Sequence, residues 1–178
     1  MNLRILLTGG TFDKRYDPVT GALGFGAEGE EGESSSCVPG IIERARAAAG
    51  VQIQTVMMID SLDMVDAHRQ QILAAARAAP EAALVIVHGT DTMVETAAVL
   101  AHAALPKTIV LTGAMVPFSV EDSDASFNLG AAIAYAHALA PGVWVAMNGV
   151  ARPWNDVRKN RELGVFEGLD QAGQGQAG

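Results

Sequence analysis

The sequence predicts an α/β fold: three αβα layers around a mainly parallel, doubly wound sheet of the flavodoxin or Rossmann kind, in a single domain. Three observations predict it. Apolar runs at residues 3–8, 85–88, 108–112 and 143–148 are rich in β-branched residues, and each ends one residue before a glycine. Stretches with helical periodicity lie between these runs, which makes βαβ units. Apart from Arg4 and the polar residues at their ends, the runs are apolar rather than alternating, the pattern of strands covered on both faces. Their glycine turns then share the C-terminal edge of the sheet, where open α/β folds bind ligands.

The chain of 178 residues has room for one sizeable core. Hydrophobic residues make up 49% and charged residues 18%, a globular rather than a disordered balance. No apolar run approaches the ~20 residues of a membrane span. The first residues lead straight into a strand with no signal-peptide pattern, so the expected compartment is the cytoplasm, with no membrane as partner. A net charge of −8 argues against nucleic acid. The single Cys37 excludes an internal disulfide and a cysteine-based zinc site. No metal is expected, because His68, His88, His102 and His137 show no ligand-like pairing. No cofactor is expected either, since the glycine turns lack both the GxGxxG and the P-loop spacing.

Strand 3–8 runs into Gly9-Gly10-Thr11. The segment from there to Ser36 is irregular, with seven glycines between residues 9 and 32 and glutamates at 28, 30, 31 and 33. A loop this long is functional or disordered. Because it follows Thr11, residues 12–36 read as a mobile lid. A helix is expected over 39–49 and stops at Gly50. A strand over 52–58, a strand-end loop over 59–64 and a helix over 66–79 follow, ended by Pro80. The central run turns at Gly89. Thr92 and Glu95 have capping-box spacing and predict a helix from Met93 to about residue 104. Pro106 precedes strand 108–112, and 116–123 is a polar loop. Asp124 is placed to N-cap a helix to about residue 140, stopped by Pro141-Gly142. After Gly149 the periodicity fades. The domain is bounded at 1–170, with 171–178 a frayed tail.

Two of the glycine turns are followed directly by threonine, Thr11 and Thr90. A threonine hydroxyl is a weak nucleophile until a base takes its proton. Tyr16, five residues on in the lid, is a candidate assistant for Thr11. Thr90 stands next to Asp91, between strand end and helix start. His88 ends the central strand and reads as a structural rather than a catalytic histidine.

The stretches Thr8-Gly9-Gly10-Thr11, His88-Gly89-Thr90-Asp91-Thr92-Met93, Gly113-Ala114-Met115 and Asp124-Ala125-Ser126-Phe127-Asn128-Leu129 resemble, in this order, the motifs of the bacterial-type L-asparaginases. The resemblance covers roughly residues 3–160. In length it is closest to the short, single-domain members, without the usual C-terminal domain. It implies hydrolysis of L-asparagine to L-aspartate and ammonia through an acyl ester on Thr11, helped by Tyr16. It implies Thr90 and Asp91 as a second pair, and Lys159, in Asn155-Asp156-Val157-Arg158-Lys159, as a lysine serving Thr90. Asp91 suits the substrate ammonium, and Ser61 matches a serine that contacts the α-carboxylate. Leu62 stands where many relatives have a polar residue. Backbone N–H groups of Gly10, Thr11 and Thr90 suit a carboxylate or a developing oxyanion. Gly89 shapes the turn, and Ala114 is small enough to admit the amide end. A homodimer or homotetramer is implied. Glutamine or another small amide is the alternative substrate, and a non-catalytic amino-acid-binding module the alternative function.

Overall fold

A computed structural model of the chain describes residues 2–25, 36–47 and 50–169. In chain order the elements are β1 (Leu3–Gly9), the short strands β2 (Arg15–Tyr16) and β3 (Leu23–Gly24), α1 (Val38–Arg44), β4 (Val51–Ile59), α2 (Asp66–Ala78), β5 (Ala83–Val87), α3 (Met93–His102), β6 (Thr108–Thr112), α4 (Ala125–Ala138), β7 (Gly142–Met147), β8 (Val150–Pro153), β9 (Arg158–Asn160) and β10 (Val165–Glu167). Single 3-10 turns stand at Thr11–Asp13 and Ser61–Asp63. The main sheet has the order β4-β1-β5-β6-β7-β8. Its first five strands are parallel, and β8 runs antiparallel to β7. The chain winds from β1 to β4 on one side, then returns past β1 to β5 on the other. The winding therefore reverses between β1 and β5, which opens a crevice at their C-terminal ends.

Strand side chains alternate between two cores. Leu6, Leu84, Ile86, Ile109 and Leu111 face Ile72 and Ala76 of α2 and Ala97 and Leu100 of α3. Leu3, Ile5, Leu7, Val85, Val87 and Val110 face Val38 and Ile41 of α1 and Leu129, Ala132 and Ala136 of α4. Each central strand is thus largely apolar on both faces, with Arg4, near the start of β1 and paired with Glu81, the charged exception. Buried threonines tie neighbouring strand ends together. Thr8 Oγ1 donates to the Val87 carbonyl at 2.8 Å, and Thr112 Oγ1 to that of Ala146 at 2.8 Å. No helix among the described residues is long and apolar enough to cross a membrane.

Three local expectations differ from the structure. Helix α1 ends at Arg44, not at residue 49, because Arg46 takes a left-handed φ of 49° and leaves the helical path. The segment from residue 9 is not irregular throughout. Its first half forms the Thr11–Asp13 turn and the β2–β3 hairpin. The glutamate-rich residues 26–35 and the tail 171–178 lie outside the described residues. Beyond Gly149 the chain does not fade but forms β8 and a β9–β10 hairpin. These strands have only three or four residues, too few to show a period. What holds them is tertiary: Val157 and Phe166 are buried in the α2–α3 core.

Candidate active site

Three loops meet at the crevice, and glycine is what lets them. Gly9 and Gly10 have φ of 91° and 85°, the left-handed region that L side chains rarely adopt. A Cβ on Gly10 would lie 2.3 Å from the Gly89 Cα. A Cβ on Gly89 would lie 2.5 Å from the Cβ and Oγ of Ser61. The turns after β1 and β5 therefore touch backbone to backbone, with the Ser61–Asp63 turn against them. Thr11, Thr90 and Ser61 follow directly on one sheet edge.

A polar cluster fills this corner. Lys159 Nζ donates to Thr90 Oγ1 at 2.8 Å and to Asp91 Oδ1 at 3.0 Å. Ser61 Oγ accepts from the Asp91 N–H at 3.3 Å, and Thr92 Oγ1 donates to the Ser61 carbonyl at 2.8 Å. The Ser61 turn is fixed from its other side too. Asp60 accepts from the Leu62 N–H at 2.9 Å and pairs with Lys14, just past the Thr11 turn. The Lys14 ammonium, with the Leu62 N–H, holds the Asp60 carboxyl below the usual carboxylate range.

Lys159 reaches Thr90 because the β9–β10 hairpin carries it there. It pairs with Phe166, whose ring is buried in the core. The Phe166 N–H donates to Asn148 Oδ1 at 3.1 Å, and the Asn148 N–H to Asn128 Oδ1 at 3.1 Å. Asn128 Nδ2 donates to the Gly113 carbonyl at 3.0 Å and to Asp124 at 2.8 Å. The DASFN stretch is thus a brace between the turns after β6 and β7. Asp124 stands at the N-cap position of α4, but its carboxylate accepts from the N–H groups of Met115 and Val116 rather than capping its own helix. Nor does Thr92 cap α3: its hydroxyl is taken by Ser61.

His88 is fully buried. The Gly89 carbonyl, 2.7 Å from Nδ1, can only accept, so Nδ1 carries the proton. Nε2 then accepts from the Thr96 hydroxyl at 2.8 Å. Burial pushes the His88 pKa down to about 4. A neutral histidine with both nitrogens occupied holds the Gly89 turn in place and does no proton transfer.

The other expected site residues are placed as follows. Tyr16 lies on β2 and is 62% exposed, and Leu62 is 67% exposed on the Ser61–Asp63 turn. Ser61 and Ala114 are buried, with Ala114 packed into the α4-side core. Sequence reasoning missed Arg161, whose Nη1 donates to Asp91 Oδ1 at 2.6 Å. Arg161 stands in the turn after β9, where strand alternation from Lys159 does not reach, so no local pattern marks it. Among the described residues, no group of three or more His, Cys, Asp or Glu is arranged to hold a metal.

A doubly wound sheet with a threonine, an aspartate and a lysine joined at its switch point defines a class, and comparison with known proteins says which. The profile described as "Asparaginase, N-terminal" matches residues 2–172. The chain belongs to the asparaginase family and corresponds to its N-terminal domain. It is 38% identical over 154 residues to a glutamyl-tRNA(Gln) amidotransferase subunit of Pyrococcus furiosus, covering 83% of this chain and 33% of that protein. The thermostable L-asparaginase from Thermococcus kodakarensis superposes with a TM-score of 0.78 at 29% identity, over 94% of this chain and 51% of that one. The probable cytoplasmic L-asparaginase from Campylobacter jejuni gives 0.77 at 29% identity, over 95% and 53%. The chain spans about a third of the length of the curated relative and about half of each solved structure.

Proposed function

We propose that the chain is an amidohydrolase that converts L-asparagine to L-aspartate and ammonia through an ester on Thr11. The observation that carries the reading is the Lys159 ammonium shared between Thr90 and Asp91. A lysine that donates to Thr90 Oγ1 lowers the cost of placing negative charge on that oxygen. A hydroxyl so held suits the activation of water.

In this mechanism Tyr16, acting as the phenolate, takes the Thr11 proton, and Thr11 Oγ1 attacks the side-chain amide carbon. Backbone N–H groups at the glycine turns receive the oxyanion. The C–N bond breaks, and the nitrogen leaves as ammonia with the proton returned. Water positioned by Thr90 and Lys159 then attacks the ester, releasing L-aspartate and restoring Thr11. Asp91 holds the substrate ammonium and Ser61 the α-carboxylate. Gly10, Gly89 and Ala114 shape the floor. The exposed Tyr16 fits an arm that closes on substrate, so within the expected lid of residues 12–36 the β2–β3 hairpin is the part that closes in this reading. Limited proteolysis checks it: saturating L-aspartate slows cleavage at residues 15–25. No cofactor takes part. The assembly is a homodimer or homotetramer in the cytoplasm, and sedimentation reads the state.

Ammonia release from L-asparagine is the direct test. Added hydroxylamine diverts part of the ester to aspartate hydroxamate. No ammonia from any small amide, with L-aspartate still bound, leaves an amino-acid-binding module. The match to an amidotransferase component favours one second reading, in which glutamine is the amide and its nitrogen is passed on within an assembly. Competition between asparagine and glutamine separates the two.

A further inference from the structure

The Asp91 carboxylate carries more positive charge than one partner supplies. Its Oδ1 accepts from Lys159 Nζ at 3.0 Å and from Arg161 Nη1 at 2.6 Å. The two cations are held differently. The Lys159 side chain is 13% exposed and is also bonded to Thr90, so it is fixed from two directions. The Arg161 side chain is 65% exposed and reaches Asp91 from the solvent side, out of the turn that follows β9. The lysine belongs to the threonine. The arginine has a detachable hold on the carboxylate.

We propose that Arg161 occupies the ammonium subsite of the ligand-free protein and sets how strongly that subsite favours a zwitterionic amino acid. This rests on the assignment of Asp91 to the substrate ammonium. A substrate cation and the guanidinium need the same carboxylate and carry the same sign. With Lys159 and Arg161 both engaged, the two cations outnumber the one carboxylate, and the cluster repels a third cation. Binding requires Arg161 to swing away, and apparent affinity is reduced by the fraction of molecules in which it has not. Exposed ion pairs shift an equilibrium by a factor of only about 1.5 to 5. Arg161 is therefore a graded filter, not a lock. It weakens ligands with an α-ammonium relative to those that lack one, and so biases the site toward amides whose α-nitrogen is absent or uncharged.

Titration calorimetry with L-aspartate and succinate tests this, because the two dicarboxylates differ only by the ammonium. The readout is the ratio of their dissociation constants, in which effects on folding or on the shared carboxylates cancel. In Arg161→Gln, L-aspartate gains on succinate by about two- to fivefold. Arg161→Lys keeps the charge and stays near the wild-type ratio. An unchanged or reversed ratio in Arg161→Gln overturns the proposal, as does an equal shift in Arg161→Lys. Ammonia release from L-asparagine in the same samples separates the two readings. A shifted ratio without ammonia leaves the filter standing and the hydrolase reading failed. Ammonia with an unshifted ratio does the reverse. If wild type and both variants bind neither ligand, the filter falls, and ammonia release alone decides the hydrolase reading.

Discussion

The Gly10–Thr11 turn and the Gly89–Thr90 turn meet back to back, yet they are held in different ways. Thr90 is 5% exposed, its oxygen is bonded to Lys159, and the helix after it is rooted in the core through Met93, Ala97 and Leu100. Thr11 is half-buried and leads into one 3-10 turn and a hairpin whose Tyr16 and Val19 are largely exposed. One threonine is fixed in a polar lattice. The other is followed by Phe12, fully buried in the α1–α4 core, and the chain turns outward only beyond Lys14, into the mostly exposed β2–β3 hairpin, the kind of segment that opens locally at low cost. A two-step acyl transfer uses both kinds. The group that forms the ester gains from an arm that closes, and the group that orients water gains from not moving.

The largest expected effect comes from removing each threonine in turn. If Thr11 carries the ester, as proposed, Thr11→Ala forms none and turnover falls by roughly 10³–10⁶-fold, the scale of a deleted nucleophile. Thr90→Val still forms the ester but hydrolyses it slowly, so a mass adduct accumulates on Thr11. An adduct on Thr90, or hydroxamate formation that survives in Thr11→Ala, reverses the assignment.

The next effect concerns the contact between the turns. Gly10→Ala places a methyl 2.3 Å from the Gly89 backbone at a φ of 85°. Neither backbone can yield without moving its strand end, and the cost is about 3–5 kcal/mol by thermal or denaturant unfolding. Gly21→Ala is the control, because φ there is 71° and the space is open. It costs only the left-handed penalty of about 1–2 kcal/mol. Equal costs at the two positions mean that the turns do not bear on each other.

The same contrast explains what was legible in the sequence. The parallel sheet was readable because Leu3–Gly9, Ala83–Val87 and Thr108–Thr112 are predominantly apolar strands with glycine just beyond or at the end. Their burial on two faces writes itself into composition. The meeting of Thr90, Asp91 and Lys159 was legible only through family resemblance, since 68 residues separate Asp91 from Lys159. What brings them together is Phe166, Asn148 and Asn128, a chain of long-range bonds with no local signature. Local rules failed where tertiary partners outbid them. Thr92 and Asp124 have capping identities, but Ser61 and the Met115–Val116 backbone took their side chains. Arg161 has no local signature either, because it stands in the turn after β9 and meets Asp91 across 70 positions of sequence.

His88 gives the rigid turn a pH dependence. Burial holds its pKa near 4, against 6.5 when exposed. Below pH 6.5 the unfolded chain takes up a proton that the folded chain refuses until about pH 4, so stability is lost as pH falls across that window. The loss amounts to roughly 3–4 kcal/mol. Asp60 and Glu81, held below the usual carboxylate range by Lys14 and Arg4, add a further loss at lower pH. In His88→Asn the unfolding free energy is flat from about pH 6.5 to about 4.5 while the lower-pH loss remains. A slope unchanged from wild type would assign the loss to another group.

The smallest effect lies on the rigid side, at Leu62. Its side chain is 67% exposed beside Ser61, on a turn held by Asp60, Asp91 and Thr92. The turn is fixed, so a new polar group there is held in place rather than left to search. Leu62→Gln removes little packing and adds a donor beside the proposed α-carboxylate subsite. An uncharged hydrogen bond contributes on the order of 0.5–1.5 kcal/mol. The carboxylate is the same in ground and transition states, so the gain falls on KM and leaves kcat nearly unchanged. Steady-state kinetics with L-asparagine read this as a KM lower by about two- to tenfold. If KM is unchanged or rises, side chain 62 points away from substrate. Affinity at that end then rests on Ser61 and backbone N–H groups alone, and the fixed half of the site orients its ligand without help from the exposed edge of its own turn.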